Sequence, residues 1–146
     1  MPAPAATKVP VRSYRDLRVR QEAMDLAETT YRATEHFPDH ERYGLVTQLR
    51  RAAVSVSSNI AEGNARSTGD YLRHLLVSSG SLTEMETQFM LSSRLGFLPP
   101  EQSKSLLERC DHLGRMLSSL RKSLRARRAR PPSPESLVPK QSLWSG

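Results

Sequence analysis

The last third of the chain carries a heptad seam. Leu106, Cys110, Leu113, Leu117, Leu120 and Leu124 follow one another at steps of 4, 3, 4, 3 and 4. This spacing draws one narrow apolar stripe along a helix, and it suits neighbours packed nearly parallel to the helix axis. Other helices must supply faces to cover such a stripe, so the seam constrains the chain to a helical bundle. Three further segments offer faces. Over about residues 13–35, Leu17, Met24 and Tyr31 recur every seven residues, joined by Ala23, Ala27 and Thr30, with Ser13 as a candidate N-cap. Over about 45–64, Leu45, Leu49, Ala53, Val56 and Ile60 share a face, and Gly63 is expected to end the helix as a left-handed C-cap. Over about 67–95, Leu72, Leu75, Leu76, Leu82, Met85 and Phe89 form the expected buried side. Ser67, Thr68 and Asp70 are cap candidates for this third helix, and Gly96 closes it.

Pro99-Pro100 opens the seam helix, since proline is well tolerated in a first turn. The connector 38–44 has room for one helical turn. No useful length alternates with period two. The fold class expected is all-α, an antiparallel up-down-up-down four-helix bundle over 14–125. Residues 1–13, with three prolines, read as a flexible arm, and residues 126–146 as a flexible tail, first basic and then rich in Pro and Ser. Trp144 lies in that tail, either as a docking residue or simply disordered.

Charge is uneven. The formal net charge is +7, and residues 121–130 hold six basic groups and no acid, leaving 16 basic against 15 acidic groups elsewhere. Arg121, Lys122, Arg125, Arg127, Arg128 and Arg130 therefore form a candidate polyanion site, with Arg12, Arg15, Arg18 and Arg20 as a second basic strip. The alternative is a solvated helix end, because cations are favourable near a helix C-terminus.

The second helix carries a polar stripe beside its apolar one: Gln48, Arg51, Ser55, Ser58, Asn59 and Glu62. Wet faces favour Lys and Glu over Ser and Asn, so an inter-helix hydrogen-bond network is expected. In it Arg50 or Arg51 would pair with Glu84 or Glu86, and Asn59 would bond a facing backbone group or hydroxyl. The bland alternative is a solvent face.

Catalytic constellations are missing from the pattern. No Glu is followed three residues later by His, as di-iron bundles require, and His36 and His40 flank Pro38. The segment 63–69 lacks the Gly-Lys-Ser/Thr end of a phosphate-binding loop. Cys110 lies on the apolar seam and reads as a small core residue. No enzyme, metal, cofactor or small-molecule substrate is expected. No apolar run approaches the roughly 20 residues of a membrane span. The first residues lack the apolar stretch of a secretory signal, which points to a cytoplasmic protein.

Several blocks together resemble a known family. Gln48-Leu49-Arg50-Arg51-Ala52-Ala53-Val54-Ser55-Val56, followed by Ser58-Asn59-Ile60-Ala61-Glu62-Gly63, is similar to the signature of the 23S rRNA intervening-sequence proteins. Asp16-Leu17, Phe37-Pro38, Tyr43-Gly44-Leu45 and Gly80-Ser81-Leu82 with Glu84 and Glu86-Thr87 extend the likeness over roughly 14–125. The accessory variability determinant protein of diversity-generating retroelements belongs to the same structural group. The resemblance implies a four-helix bundle assembled as a ring-like homopentamer, without catalysis. Through the retroelement relative it also implies a basic surface for RNA or DNA and a reverse transcriptase as partner. The alternative it leaves open is a protein-interaction scaffold with no nucleic-acid contact. Ser78-Ser79 stands where the usual pattern has a basic residue before Gly80.

Overall fold

A computed structural model describes residues 14–129. Four helices follow in order: α1 (Tyr14–Thr34), α2 (Thr47–Asn64), α3 (Thr68–Arg94) and α4 (Pro100–Ala129). No strand occurs among the described residues, and short connections make successive helices run in opposite directions. No helix of the described residues is long and apolar enough to cross a membrane.

The seam predicted for α4 is the spine of the core: Leu106, Cys110, Leu113, Leu117, Leu120 and Leu124 are all buried. Leu49, Ala53, Val56 and Ile60 of α2 and Leu75, Leu82, Met85 and Phe89 of α3 pack with it, while Leu45 and Leu72 are half-buried. Ser67 caps α3 as expected, its hydroxyl accepting from the Asp70 N–H at 3.3 Å. Gly96 takes a positive φ of 79° just beyond the end of α3.

Other expectations fail for identifiable reasons. Three apolar residues expected on the buried face of α1 point away from the core: Met24 is 62% exposed, and Leu17 and Tyr31 are also exposed. Ala23 and Thr30 are buried as expected, but the stripe continues through Asp16, Val19, Leu26 and Ala33. Its alanines let α1 approach closely, and the Thr30 hydroxyl donates to the Leu26 carbonyl at 2.7 Å, so neither polarity nor small size excludes these residues from the interior. On α3, Leu76 is 58% exposed, and the buried position belongs to Tyr71. The connector forms a 3-10 turn (Asp39–Glu41) and then a π turn (Arg42–Val46), so α2 begins at Thr47 rather than at 45. In that connector the Glu41 carboxylate accepts from the Leu45 N–H at 3.1 Å. Helix α4 continues four residues past the expected end at 125, so Arg127 and Arg128 stand on helix rather than in a tail.

Gly63 is not a left-handed cap. It lies inside α2, which runs on to Asn64. A Cβ there would come within 2.7 Å of the His74 Cβ and 2.8 Å of the Tyr71 Cδ1. The missing side chain is what lets α3 cross so near. Gly63→Ala is therefore expected to push the two helices apart. The strain of about 1–3 kcal/mol outweighs the gain in helix propensity of up to about 1 kcal/mol. Urea denaturation should show a lowered midpoint.

Candidate nucleic-acid interface

Antiparallel packing brings four helix ends together: the start of α1, the end of α2, the start of α3 and the end of α4. Two contacts fix the arrangement. The Tyr71 hydroxyl at the start of α3 donates to Asp16 Oδ1 at the start of α1, at 2.6 Å. The Arg128 guanidinium lies over the first turn of α3, where a Cβ on Gly69 would stand 3.3 Å from its Nη1.

Basic side chains converge at this end. Lys122, Arg125, Arg127 and Arg128 of α4 are exposed, as are Arg15 and Arg18 of α1. Arg121 is half-buried, with its Nε shielded from solvent and unpartnered among the described residues. The nearby acids are already engaged. Asp16 is buried against Tyr71, Glu62 pairs with Arg66 at 2.9 Å, and Asp70 pairs with Arg73 at 2.8 Å. Helix-end electrostatics acts within the last turn. It accounts for Arg127 and Arg128, but Arg121 and Lys122 lie one to two turns further in. Arg12 and Arg130 fall outside the described residues, as does Trp144.

The α1 basic strip faces further polar and basic side chains of α4 that lie before the 121–130 cluster. A groove of about 340 Å³ between α1 and α4 is lined by Arg15, Arg18, Val19, His112, Arg115, Met116 and Ser119. His112 and Arg115 were not singled out from the sequence, although their spacing of three puts them on one helix face. Arg20, on a different face of α1, does not reach the groove.

The expected polar network exists between α2 and α3, with different members. The Ser55 and Ser81 hydroxyls are 2.8 Å apart, and the Ser78 hydroxyl donates to the Val56 carbonyl at 2.9 Å. Asn59 Nδ2 donates to the Ser55 carbonyl at 2.9 Å, and its Oδ1 lies 2.9 Å from His74 Nδ1. Ser78 thus serves helix packing rather than a basic surface. The Arg–Glu pairs do not form. Arg50 turns to α1, donating to Thr34 Oγ1 at 3.0 Å and to the Tyr31 carbonyl at 3.2 Å, with its guanidinium 4.6 Å from the Tyr31 ring centroid. Gln48, Arg51, Glu62 and Glu84 are exposed. Arg51 and Ser58 line an open groove of about 610 Å³ on the outer side of α2.

Glu86 lies near α4 instead. Partial burial, aided by the Asp111 carboxylate, pushes its carboxyl above the usual range. Ionisation is then harder in the folded state than in the unfolded chain. Stability is complete while Glu86 is protonated in both states and falls as pH rises through the carboxylate range. Glu86→Gln is expected to raise the melting temperature at neutral pH, with the advantage fading below about pH 4. Burial, with Glu86 adding, pushes the Cys110 thiol up to about 12, so it stays protonated. Among the described residues no three His, Cys, Asp or Glu side chains gather to hold a metal ion.

Known proteins similar to this chain include a sequence family and a solved structure. The family model described as 23S rRNA-intervening sequence protein matches residues 15–119. A crystal structure from Bacteroides thetaiotaomicron, described as a protein with unknown function from the S23 ribosomal protein family, superimposes with a TM-score of 0.69 at 20% identity. The match covers 74% of this chain and 98% of that one, and it establishes a common fold. No curated protein sequence matches.

Proposed function

The chain belongs to the 23S rRNA-intervening sequence protein family, and we propose that it is a non-catalytic, oligomeric accessory protein that binds nucleic acid through the basic end of its bundle. One observation carries this reading. Six exposed cations from α1 and α4 (Arg15, Arg18, Lys122, Arg125, Arg127 and Arg128) share one pole, and none is in an ion pair among the described residues. Unneutralised cations at such density attract a polyphosphate backbone. In the retroelement setting implied by the resemblance, the protein partner would be a reverse transcriptase working on the bound strand. Fluorescence anisotropy with labelled RNA tests the reading: saturable binding at low salt is expected, and no binding at about 50 mM salt would refute it.

Assembly draws on the outward face of α3, where Leu76, Val77, Met90, Leu91 and Leu95 are exposed. A Cβ on Gly80, midway along, would meet nothing within 4 Å. Exposed apolar side chains at both ends of one helix face mark an interaction site, and the family resemblance suggests a homopentamer. Leu76→Glu with Leu91→Glu is expected to reduce the mass seen by light scattering to that of one chain, with helix content unchanged. The same face favours a second reading, a scaffold that docks a protein without touching nucleic acid. Salt-independent capture of a purified reverse transcriptase, free of nucleic acid, would favour that reading.

A further inference from the structure

We propose that the groove between α1 and α4 holds the phosphate backbone of a single-stranded nucleic acid, and that the exposed Tyr14, one turn before Arg18 on α1, stacks one base, an assignment that rests on the nucleic-acid reading above. The walls are Arg15 and Arg18 on one side and His112 and Arg115 on the other. Guanidinium groups present forked donors that match phosphate oxygens. Arg115 also pairs with Asp111 at 3.0 Å, but both are mostly exposed, so this pair is weak and free to exchange. Between the walls the half-buried Met116, packed over the buried Val19, offers an apolar floor that suits a sugar or base edge and not a second layer of phosphate. At about 340 Å³ the groove is at the small end of sites for compact ligands. That is room on the order of one nucleotide, too little to enclose the body of a duplex.

Tyr14 is 74% exposed and therefore contributes little to the core. It precedes Arg15 and stands one turn before Arg18, so its ring lies at the basic end of the same helix. An open aromatic ring beside a cationic groove is the arrangement by which proteins hold single strands without reading sequence. The positive wall of α1 ends at Glu22 and Asp25. Beyond it, Arg109 Nη1 donates to Thr29 Oγ1 at 2.6 Å and ties α1 to α4. In the other direction Ser119 and Lys122 continue the face of Arg115 toward the pole. The strand would therefore run from the groove toward Tyr14 and the basic end.

Anisotropy on the full chain, with one labelled RNA as a single strand and as a duplex, tests this. Tyr14→Ala is expected to weaken single-strand binding about tenfold, within the range for loss of one stacked base. Duplex binding should be unchanged, and Tyr14→Phe should bind like the wild type. Arg15→Gln with Arg18→Gln and Arg115→Gln should weaken the single strand more than the duplex. If these variants bind the single strand as the wild type does, while neutralising residues 121–130 abolishes binding, the groove assignment is wrong and the nucleic-acid reading stands. If the wild type binds neither RNA, both fall.

Discussion

Exchanging Arg121, Lys122, Arg125, Arg127, Arg128 and Arg130 together for Gln is expected to abolish RNA retention at moderate salt and to leave the bundle folded. The change takes the formal charge from +7 to +1. It removes four exposed cations of the α4 end, together with half-buried Arg121, and leaves Leu120 and Leu124 in the core. Gln is nearly as good a helix former as Arg or Lys, so helix content should not move. Four of the six cations assigned to phosphate are lost, so the slope of log affinity against log salt should fall from about −4 to about −1.5. Retention by the variant at the wild-type level would show that the basic end is not the contact surface.

Tyr71→Ala is expected to be the most destabilising single change, costing about 3–5 kcal/mol for a fully buried aromatic residue. The ring sits at 0% exposure where α2, α3 and the start of α1 meet. Its hydroxyl donates to the buried Asp16 carboxylate at 2.6 Å, so truncation also removes a donor from a polar group that water cannot reach. Tyr71→Phe separates the two contributions. It keeps the ring, drops only the hydroxyl, and should cost about 1–3 kcal/mol. Urea denaturation of both variants gives the comparison. A Tyr71→Phe midpoint equal to the wild type would mean that the bond to Asp16 does not hold the helix starts together.

These two residues also show where the sequence was readable and where it was not. The α4 seam was legible because leucines at heptad spacing leave one face that can be buried. The α1 face was legible only in part: Ala23 and Thr30 are buried as expected, but the stripe runs through Asp16, Val19 and Leu26 rather than through Leu17, Met24 and Tyr31. Asp16 enters the interior with a tyrosine hydroxyl of α3 as a partner, which α1 alone does not reveal, whereas Thr30 is satisfied within α1 by the Leu26 carbonyl. Gly63 was read as a cap because glycine often ends helices, whereas the need here is for room, set by Tyr71 and His74 on another helix. The Ser55 and Asn59 network was anticipated from residue type, since serine and asparagine are unusual on a wet helical face. Its partners Ser81 and His74 depend on the α2–α3 register. The groove was least accessible. Arg15 and Arg115 lie 100 positions apart, and only the pairing of α1 with α4 brings their side chains together.

The salt dependence of RNA binding by the full chain is the most direct measurement. If the pole neutralises about six phosphates of a single strand, the logarithm of the binding constant should fall linearly with the logarithm of salt concentration, with a slope near −4. A flat line, or binding that persists unchanged at high salt, would contradict a contact made by these arginines and lysine with phosphate.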